Sequence, residues 1–187
     1  CEDNMSIFLS VIENAVPADL CEAMIQRHKD LQVTSGNYAY YGANTMHKRK
    51  DIAFFFDDLA VDLSSQINEC LDVGLAAYLD EHTALDLINI SSHSVKVQET
   101  KKGGGFHDWH YERMTGTDAL RELAWMVYLN DTIEGEGTTE FLELGIKVQP
   151  KQGSLVFFPT NWTHTHRGNP VYTSTKYIAT GWYFRTE

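Results

Sequence analysis

Apolar residues recur at helical spacing in two stretches of the first half of the chain. A short apolar strand near the start leads to a turn at Pro17 and then to a helix. The apolar positions of this helix are Leu20, Met24, Ile25 and Leu31. A second helix is predicted over about residues 59–79, with an apolar face made of Leu63, Ile67, Leu71, Leu75 and Tyr78. Two helices therefore precede the rest of the fold.

From about residue 88 onward the pattern changes to short apolar or alternating segments, separated by turn-forming residues. The segments are INISSHSVKVQET, LAWMVYLN, TTEFLEL, IKVQP, SLVFFP and KYIATGWYF. Helices followed by many short strands are typical of an α+β fold, and strands at even spacing indicate a sandwich or barrel of jelly-roll type. We expect a single domain over residues 1–187, with a helical N-terminal part at 1–87 and a jelly-roll part at 88–187.

The segment between the two helices is rich in glycine, asparagine and tyrosine. It reads NYAYYGANTMHKRK over residues 37–50 and is followed by a candidate strand at Ile52–Phe56. Two interpretations of this loop stay open: a lid over a substrate, or a surface loop that happens to carry tyrosines.

Composition narrows the classes of protein. A chain of 187 residues with 43% hydrophobic content can bury one substantial core. Its net charge of −11, with no basic run longer than HKRK at 47–50, makes nucleic acid an unlikely partner. No apolar run approaches the roughly 20 residues that a bilayer requires. With no recognisable signal peptide and three scattered cysteines, we expect a cytoplasmic protein without a membrane partner.

The stretch GGGFHDWHYER, residues 103–113, carries the first candidate chemistry. On a strand, residues i and i+2 project to the same side, so His110 and Glu112 would aim at one point. A histidine from a later strand would complete two imidazoles and a carboxylate, which suits non-haem Fe(II) and leaves positions open for other ligands. An HxE triplet alone is weak, because it also occurs on exposed polar strand edges.

The C-terminal segment supplies partners for that pair. His164 and His166 follow an apolar strand and a proline-marked turn, and Lys176 opens the apolar strand KYIATGWYF. Burying a lysine there would be unfavourable unless it met an anion, so Lys176 is a candidate anchor for a carboxylate. Alternatively, its ammonium extends from the strand end into water.

Four ordered elements resemble the Fe(II)- and 2-oxoglutarate-dependent dioxygenases, specifically the prolyl 4-hydroxylase-like branch. They are HYE, YLND, EGEGTTEF and HRGNPVYTSTKYIATGW, and VIENAVPADLCEAMI resembles the strand and helix that precede the barrel in this family. The resemblance implies a double-stranded β-helix (jelly-roll) core with N-terminal helices packed on one sheet.

The resemblance also implies roles for individual residues. The metal ligands would be His110, Glu112 and His166; His166 is preferred to His164 because its offsets to Pro170 and Lys176 match the family. The 2-oxoglutarate site would comprise Lys176, Tyr128, Thr180 and Trp182. Neighbours that orient the ligands or lie at the mouth of the site would be His107, Asp108 and His164.

This sequence departs from the family pattern at three places. Glu112 replaces the commoner aspartate, Glu136 stands where a glycine is usual, and Thr100 or Lys101 takes the place of a tyrosine. The carboxylate at 112 favours hydroxylation over halogenation, because related halogenases free that position for halide.

The resemblance implies an iron dioxygenase that hydroxylates a prolyl or other amino-acid residue, in a peptide, a protein or a free amino acid, and releases succinate and CO₂. Fe(II), 2-oxoglutarate and O₂ would be required, and ascorbate is a further candidate. The sequence does not indicate an oligomeric state. The main alternative is a cupin-type metal-binding jelly roll, an isomerase or sensor without 2-oxoglutarate; a non-catalytic binding domain and a hydrolytic zinc site are less favoured.

Overall fold

The computed structural model describes residues 8–34, 40–41 and 51–186. The helices are α1 (Ala18–Thr34), α2 (Phe56–Leu59) and α3 (Val61–Glu81). Short 3-10 turns lie at Thr83–Leu87, Gly116–Leu120 and Trp162–His164. The strands are β1 (Ser10–Ile12), β2 (Tyr40–Tyr41), β3 (Asp51–Phe55), β4 (Ile90–Thr100), β5 (Arg121–Tyr128), β6 (Thr139–Phe141), β7 (Ile146–Val148), β8 (Leu155–Pro159), β9 (His166–Gly168) and β10 (Lys176–Arg185).

Two antiparallel sheets form the body of the molecule. The larger has seven strands in the order β1-β8-β5-β10-β4-β3-β2, and the smaller has three in the order β7-β6-β9. Apolar side chains from both sheets, among them Met126, Phe141 and Trp182, pack into one buried cluster, so the sheets face each other. This arrangement confirms the predicted α+β jelly-roll fold.

Alternation along β5 explains why the large sheet supports two separate cores. Ala124, Met126 and Tyr128 belong to the cluster between the sheets. Leu123, Trp125 and Val127 point to the opposite face and pack beneath the helices. Because successive side chains of a strand lie on opposite faces, a nearly continuous apolar strand such as β5 must be covered on both sides.

The helices cover that second face, as predicted. Leu20 and Met24 of α1 and Ile67 and Leu71 of α3 are buried in the same cluster as Trp125. Full burial of such an aliphatic side chain stabilises the fold by about 1.5–3 kcal/mol. The predicted second helix corresponds to α3, which begins at Val61, and the short helix α2 ends just before it at Leu59.

The N-terminal part also contributes strands to the large sheet. Strand β1 pairs with β8, and β3 pairs with β4, so both belong to the large sheet. They correspond to the short strand predicted near the start of the chain and to the candidate strand at Ile52–Phe56.

A β-bulge interrupts the pairing of β4 with β10. Thr180 pairs with Lys96, but Trp182 pairs with His93, so one extra residue stands on β4. Ser94 has a φ of 73° there, and a Cβ on the facing Gly181 would lie 2.3 Å from the Ser94 carbonyl oxygen. Glycine is therefore required at position 181, and the bulge fixes how the two strands present their side chains.

The loop at 35–50 and the absence of a membrane-spanning helix were the two remaining expectations. Of the loop considered as a lid, only the backbone of β2 lies within the described residues, and the rest of 35–50 lies outside them. In the described ranges, no helix combines the length and apolar character needed to cross a membrane.

Candidate metal centre

His110 and Glu112 lie in an irregular segment, which corrects the expectation that HYE forms a strand. His110 makes only an isolated bridge with His166, in which each backbone N–H donates to the other residue's carbonyl at 3.0 and 2.8 Å. Glu112 follows in a bend. The side chains of His110 and Glu112 nevertheless point toward one place. The backbone bridge between His110 and β9 thus replaces the regular strand that was expected to orient them.

The structure brings His110, Glu112 and His166 together. Glu112 Oε1 lies 3.6 Å from His110 Nε2 and 3.4 Å from His166 Nε2. One ligand atom from each residue lies within 4.8 Å of the others, and this is the one such group of three or more potential ligands found in the described part of the chain. Two imidazoles and one carboxylate at this spacing match the donor set that binds non-haem Fe(II).

Backbone carbonyls fix the orientation of both imidazoles. His110 Nδ1 donates to the Asp108 carbonyl at 3.0 Å, and His166 Nδ1 donates to the His164 carbonyl at 2.9 Å. The Nε2 atoms of both rings therefore face Glu112. Asp108 and His164 were expected beside the ligands, and the structure places them there through their main chain. His107 Nδ1 donates to the Gly168 carbonyl at 2.8 Å, at the end of β9.

The protonation states suit metal binding. Burial lowers the pKa of His110. Burial alone would raise the pKa of Glu112, but its interactions with His110 and His166 outweigh this effect and hold that pKa well below its usual range. Because a metal ligand must be a neutral imidazole or an ionised carboxylate, His110 and Glu112 are ready to coordinate at neutral pH.

The second oxygen of Glu112 is held by two residues from the large sheet. Trp182 Nε1 donates to Glu112 Oε2 at 2.9 Å, and Arg121 Nη1 lies 3.5 Å from the same atom. The Arg121 guanidinium also stacks 3.8 Å from the centroid of the Trp182 ring and bonds Asp118 at 2.9 Å. Trp182, expected at the cosubstrate, thus contacts the carboxylate ligand.

Arg121 is the contact that the sequence reasoning missed. It opens strand β5, just as Lys176 opens β10, and its side chain is largely buried, with 16% of it exposed. The argument applied to Lys176, that a cation at the start of a core strand must meet an anion, would have identified it.

Lys176 is buried and reaches inward. Its Nζ donates to the Gly137 carbonyl at 2.6 Å and lies 5.3 Å from the centroid of the Tyr128 ring. Burial lowers the pKa of Lys176 to about 8. The alternative in which this lysine extends into water is wrong, since only 6% of the residue is exposed.

Tyr128 and Thr180 occupy different positions relative to Lys176. The Tyr128 hydroxyl donates to Thr139 Oγ1 at 2.8 Å, so it lies behind the cavity wall that Thr139 forms. Thr180 lines the cavity, and its hydroxyl donates across the sheet to the Trp125 carbonyl at 2.8 Å.

The two other departures from the family pattern have structural partners. The Glu136 carboxylate accepts bonds from the backbone N–H groups of Tyr172 and Thr173, at 2.9 and 3.0 Å, and so holds the loop before Lys176. These bonds lower the pKa of Glu136. Thr100 lines the cavity wall, on β4 directly opposite Lys176.

A single cavity of about 920 Å³ joins these groups. The three clustered residues line it together with Lys176, Thr180 and Trp182. A buried ammonium and an open face of potential metal ligands in one cavity fit a dicarboxylic acid that could bind a metal at one end and a cation at the other.

Comparison with known sequences agrees with this site. Residues 95–184 match the model of the 2OG-Fe(II) oxygenase superfamily. Prolyl 4-hydroxylase subunit alpha-1 from Gallus gallus is 32% identical over 95 residues, which cover 42% of this chain and 18% of that protein. The protein from Bos taurus is 30% identical over the same share. The chain thus matches less than a fifth of the length of these curated relatives.

Comparison with solved structures extends over nearly the whole chain. The viral collagen prolyl hydroxylase of Paramecium Bursaria Chlorella virus-1 is 23% identical, with 96% of this chain and 97% of that chain covered and a TM-score of 0.71. A prolyl-4-hydroxylase from Pseudomonas putida is 22% identical, covers 96% and 94%, and has a TM-score of 0.75. At these identities the likeness concerns the fold.

The fold is therefore that of the prolyl hydroxylases. The segment 95–184, which carries all three clustered residues and Lys176, matches the 2OG-Fe(II) oxygenase superfamily, and part of the chain is similar in sequence to prolyl 4-hydroxylase subunit alpha-1. The family resemblance predicted from the four sequence motifs is confirmed.

Proposed function

We propose that this protein is a 2-oxoglutarate-dependent iron dioxygenase that hydroxylates a prolyl or another amino-acid residue, in a peptide or as a free amino acid. The observation that carries the proposal is the buried Lys176 ammonium in the same cavity as His110, Glu112 and His166. A cupin-type isomerase or sensor has no need for that ammonium, because it binds no dicarboxylic cosubstrate.

His110, Glu112 and His166 would hold Fe(II), and Lys176 would bind the distal carboxylate of 2-oxoglutarate. When bound, these groups supply the oxidation chemistry, in which O₂ and 2-oxoglutarate yield succinate, CO₂ and a hydroxylated product. Ascorbate would serve only as an accessory reductant.

The chain's own residues position the bound groups and shield them from water. The carbonyls of Asp108 and His164 keep each Nε2 directed at the metal position. Trp182 and Arg121 occupy one oxygen of Glu112, which leaves the other for the metal. Thr100, opposite Lys176, and Thr180, further along β10, form polar parts of the cavity wall. Tyr128 supports this wall through its bond to Thr139.

The substrate class is proposed from related proteins. A prolyl hydroxylase from Trichoplax adhaerens, 18% identical with a TM-score of 0.76, was solved with a hypoxia inducible factor oxygen degradation domain peptide. Exposed aromatic side chains at the rim of the cavity here, Trp109 and Tyr111, offer flat surfaces for a prolyl ring or a peptide backbone.

Anaerobic titration with Fe(II) and 2-oxoglutarate tests the proposal. We expect a metal-to-ligand charge-transfer band in the visible spectrum, and succinate release when peptides and free amino acids are then supplied with O₂. Lys176→Met should require far more 2-oxoglutarate for the same band, whereas Lys147→Met, which removes an exposed lysine, should behave like the unaltered protein. A folded protein without the band would refute the proposal.

A further inference from the structure

Strand β4 presents a polar row to the cavity. Ser94, Lys96, Gln98 and Thr100 all line it, at alternate positions of the strand. The intervening Val95 and Val97 are buried in the core beneath the helices. Polar side chains placed on a cavity wall are suited to binding a ligand.

Lys96 is the charged member of this row and is only 6% exposed. Its Nζ lies 5.2 Å from the centroid of the Trp182 ring. Trp182 in turn donates to Glu112, so Lys96 lies one side chain away from the clustered potential ligands. A group bound at Lys96 would therefore be close to the point where oxidation occurs.

Lys96 is separate from the lysine assigned to the cosubstrate. Thr100 pairs with Lys176, and Lys96 pairs with Thr180, four residues further along β4. At about 3.3 Å per residue, the two lysines start roughly 13 Å apart along the sheet. Because Lys96 and Lys176 lie at two places in one cavity, they can bind anionic groups of two different molecules.

The charge and low exposure of Lys96 suit a carboxylate as its ligand. An ammonium–carboxylate hydrogen bond is charge-assisted, and low exposure strengthens it because water screens it less. The chain as a whole carries a net charge of −11, so its overall field does not attract anions. A cation retained inside the cavity therefore serves local recognition rather than long-range attraction.

We propose that Lys96 binds a carboxylate of the primary substrate and so determines its class. This inference rests on the proposed function. The carboxylate could come from two sources, which share this chemistry: the α-carboxylate of a free amino acid, or the acidic side chain of a residue next to the hydroxylated one in a peptide.

Calorimetric titration of the protein loaded with Zn(II) and saturating 2-oxoglutarate tests this proposal without turnover, because Zn(II) is redox-inert. One arm compares the standard free amino acids with their carboxamides. The other compares prolyl peptides that carry glutamate beside the proline with peptides that carry glutamine there. The arm that shows a preference for the carboxylate identifies its source.

We expect at least one carboxylate ligand to bind about tenfold or more tightly than its neutral counterpart. Lys96→Met keeps a similar side-chain volume. In this variant the ratio between the affinities for the carboxylate ligand and for its neutral counterpart should fall to near one. Lys96→Arg should keep most of it, because the positive charge stays. Lys147→Met, in which the removed charge lies on the exposed side of β7, should keep the full ratio.

Two results would overturn the proposal: a ratio that survives in Lys96→Met, or the absence of any carboxylate preference in both arms. If circular dichroism shows that Lys96→Met does not fold, Lys96→Gln takes its place in the same comparison. Failure of the proposed function is a different result, namely a missing charge-transfer band with Fe(II) and 2-oxoglutarate in the unaltered protein.

Discussion

Glu112 shows how individual residues prepare this site, because its two carboxylate oxygens have separate partners. Oε1 faces the imidazoles of His110 and His166, whereas Oε2 accepts the indole N–H of Trp182. The side chain of glutamate has one more rotatable bond than that of aspartate. The bond from Trp182 restrains this extra freedom, and it directs Oε1 toward the metal position.

Replacing Trp182 with phenylalanine should therefore weaken metal binding. Loss of the N–H that holds Glu112 Oε2 is expected to reduce the affinity about 10–100-fold, the usual effect of removing a group that orients a ligand. Anaerobic calorimetry with Fe(II) measures it. Trp162→Phe is the control, since Trp162 is 69% exposed, and equal affinity in the two variants would contradict this role of Trp182.

The lowered pKa of Lys176 predicts how 2-oxoglutarate binding depends on pH. Only the protonated ammonium attracts a carboxylate, and the free protein loses this proton as pH rises through about 8. The dissociation constant should be flat below that pH and rise above it, by about tenfold per pH unit. Calorimetry from pH 7 to 9.5 measures the profile.

Lys176→Arg separates this effect from other titrations, because arginine stays charged over the whole range. Its dissociation constant should start higher, owing to the altered geometry, but stay flat. A parallel rise in both proteins would show that another group causes the pH dependence.

At the scale of elements, the pairing of β4 with β10 decides which side chains meet in the cavity. Lys176, Ile178, Thr180, Trp182 and Phe184 of β10 line it at alternate positions. The bulge at Ser94 shifts the register of β4 between Lys96 and His93. Gly181 permits the two backbones to approach closely at this point, so the bulge depends on the absence of a Cβ at position 181.

Gly181→Ala should consequently destabilise the fold. The new Cβ would lie 2.3 Å from the Ser94 carbonyl oxygen and 2.7 Å from the Trp125 ring, and both belong to the sheet interior. Overpacking of this kind lowers the free energy of unfolding by about 1–3 kcal/mol. Urea unfolding of Gly181→Ala measures the loss.

Gly168→Ala provides the comparison. A Cβ at position 168 would approach the nearest atom, the Phe106 carbonyl oxygen, only to 3.5 Å, an ordinary van der Waals distance. Its free energy of unfolding should change much less. If both alanine variants lost the same stability, close approach at the bulge would not be the cause.

At the scale of the whole molecule, the site is built from parts that are far apart along the chain. His110 and Glu112 lie on the segment between β4 and β5, His166 lies on β9 of the small sheet, and Lys176 lies on β10 of the large sheet. Ligands that contact all of them bind only the folded chain. Their binding free energy therefore adds to its stability.

Zn(II) at about 100 times its dissociation constant should raise the melting temperature. One such ligand contributes about 2.7 kcal/mol, and each kcal/mol corresponds to about 2–4 °C for a chain of this size. A rise of about 5–10 °C is expected in scanning calorimetry, and a chelator should reverse it.

His166→Ala should abolish this rise because it removes one of the clustered ligand atoms. His82→Ala, a substitution of a buried histidine beside Tyr78 and away from the cavity, should melt at a lower temperature but keep the rise. A full rise in His166→Ala would show that the metal binds elsewhere.

Much of the fold was accessible from sequence because its signals are local. The helical spacing of Leu63, Ile67 and Leu71 and the strand-length segments after residue 88 correspond to observed elements. Strand β9 was missed, since its three residues, His-Arg-Gly, show neither apolar alternation nor a high β-strand propensity. The strand expected at HYE was wrong, because a single bridge to His166 replaces it.

By itself, the sequence determined the types of elements, the order of the family motifs, and the set of two histidines and one glutamate that the structure brings together. These follow from spacing along a few residues and from side-chain chemistry. Only the tertiary structure decided that Lys96 lies inside rather than on an exposed strand face, and that Trp182 and Arg121 hold Glu112. Such contacts join residues up to 70 positions apart, and they depend on sheet register and on how the sheets cover each other.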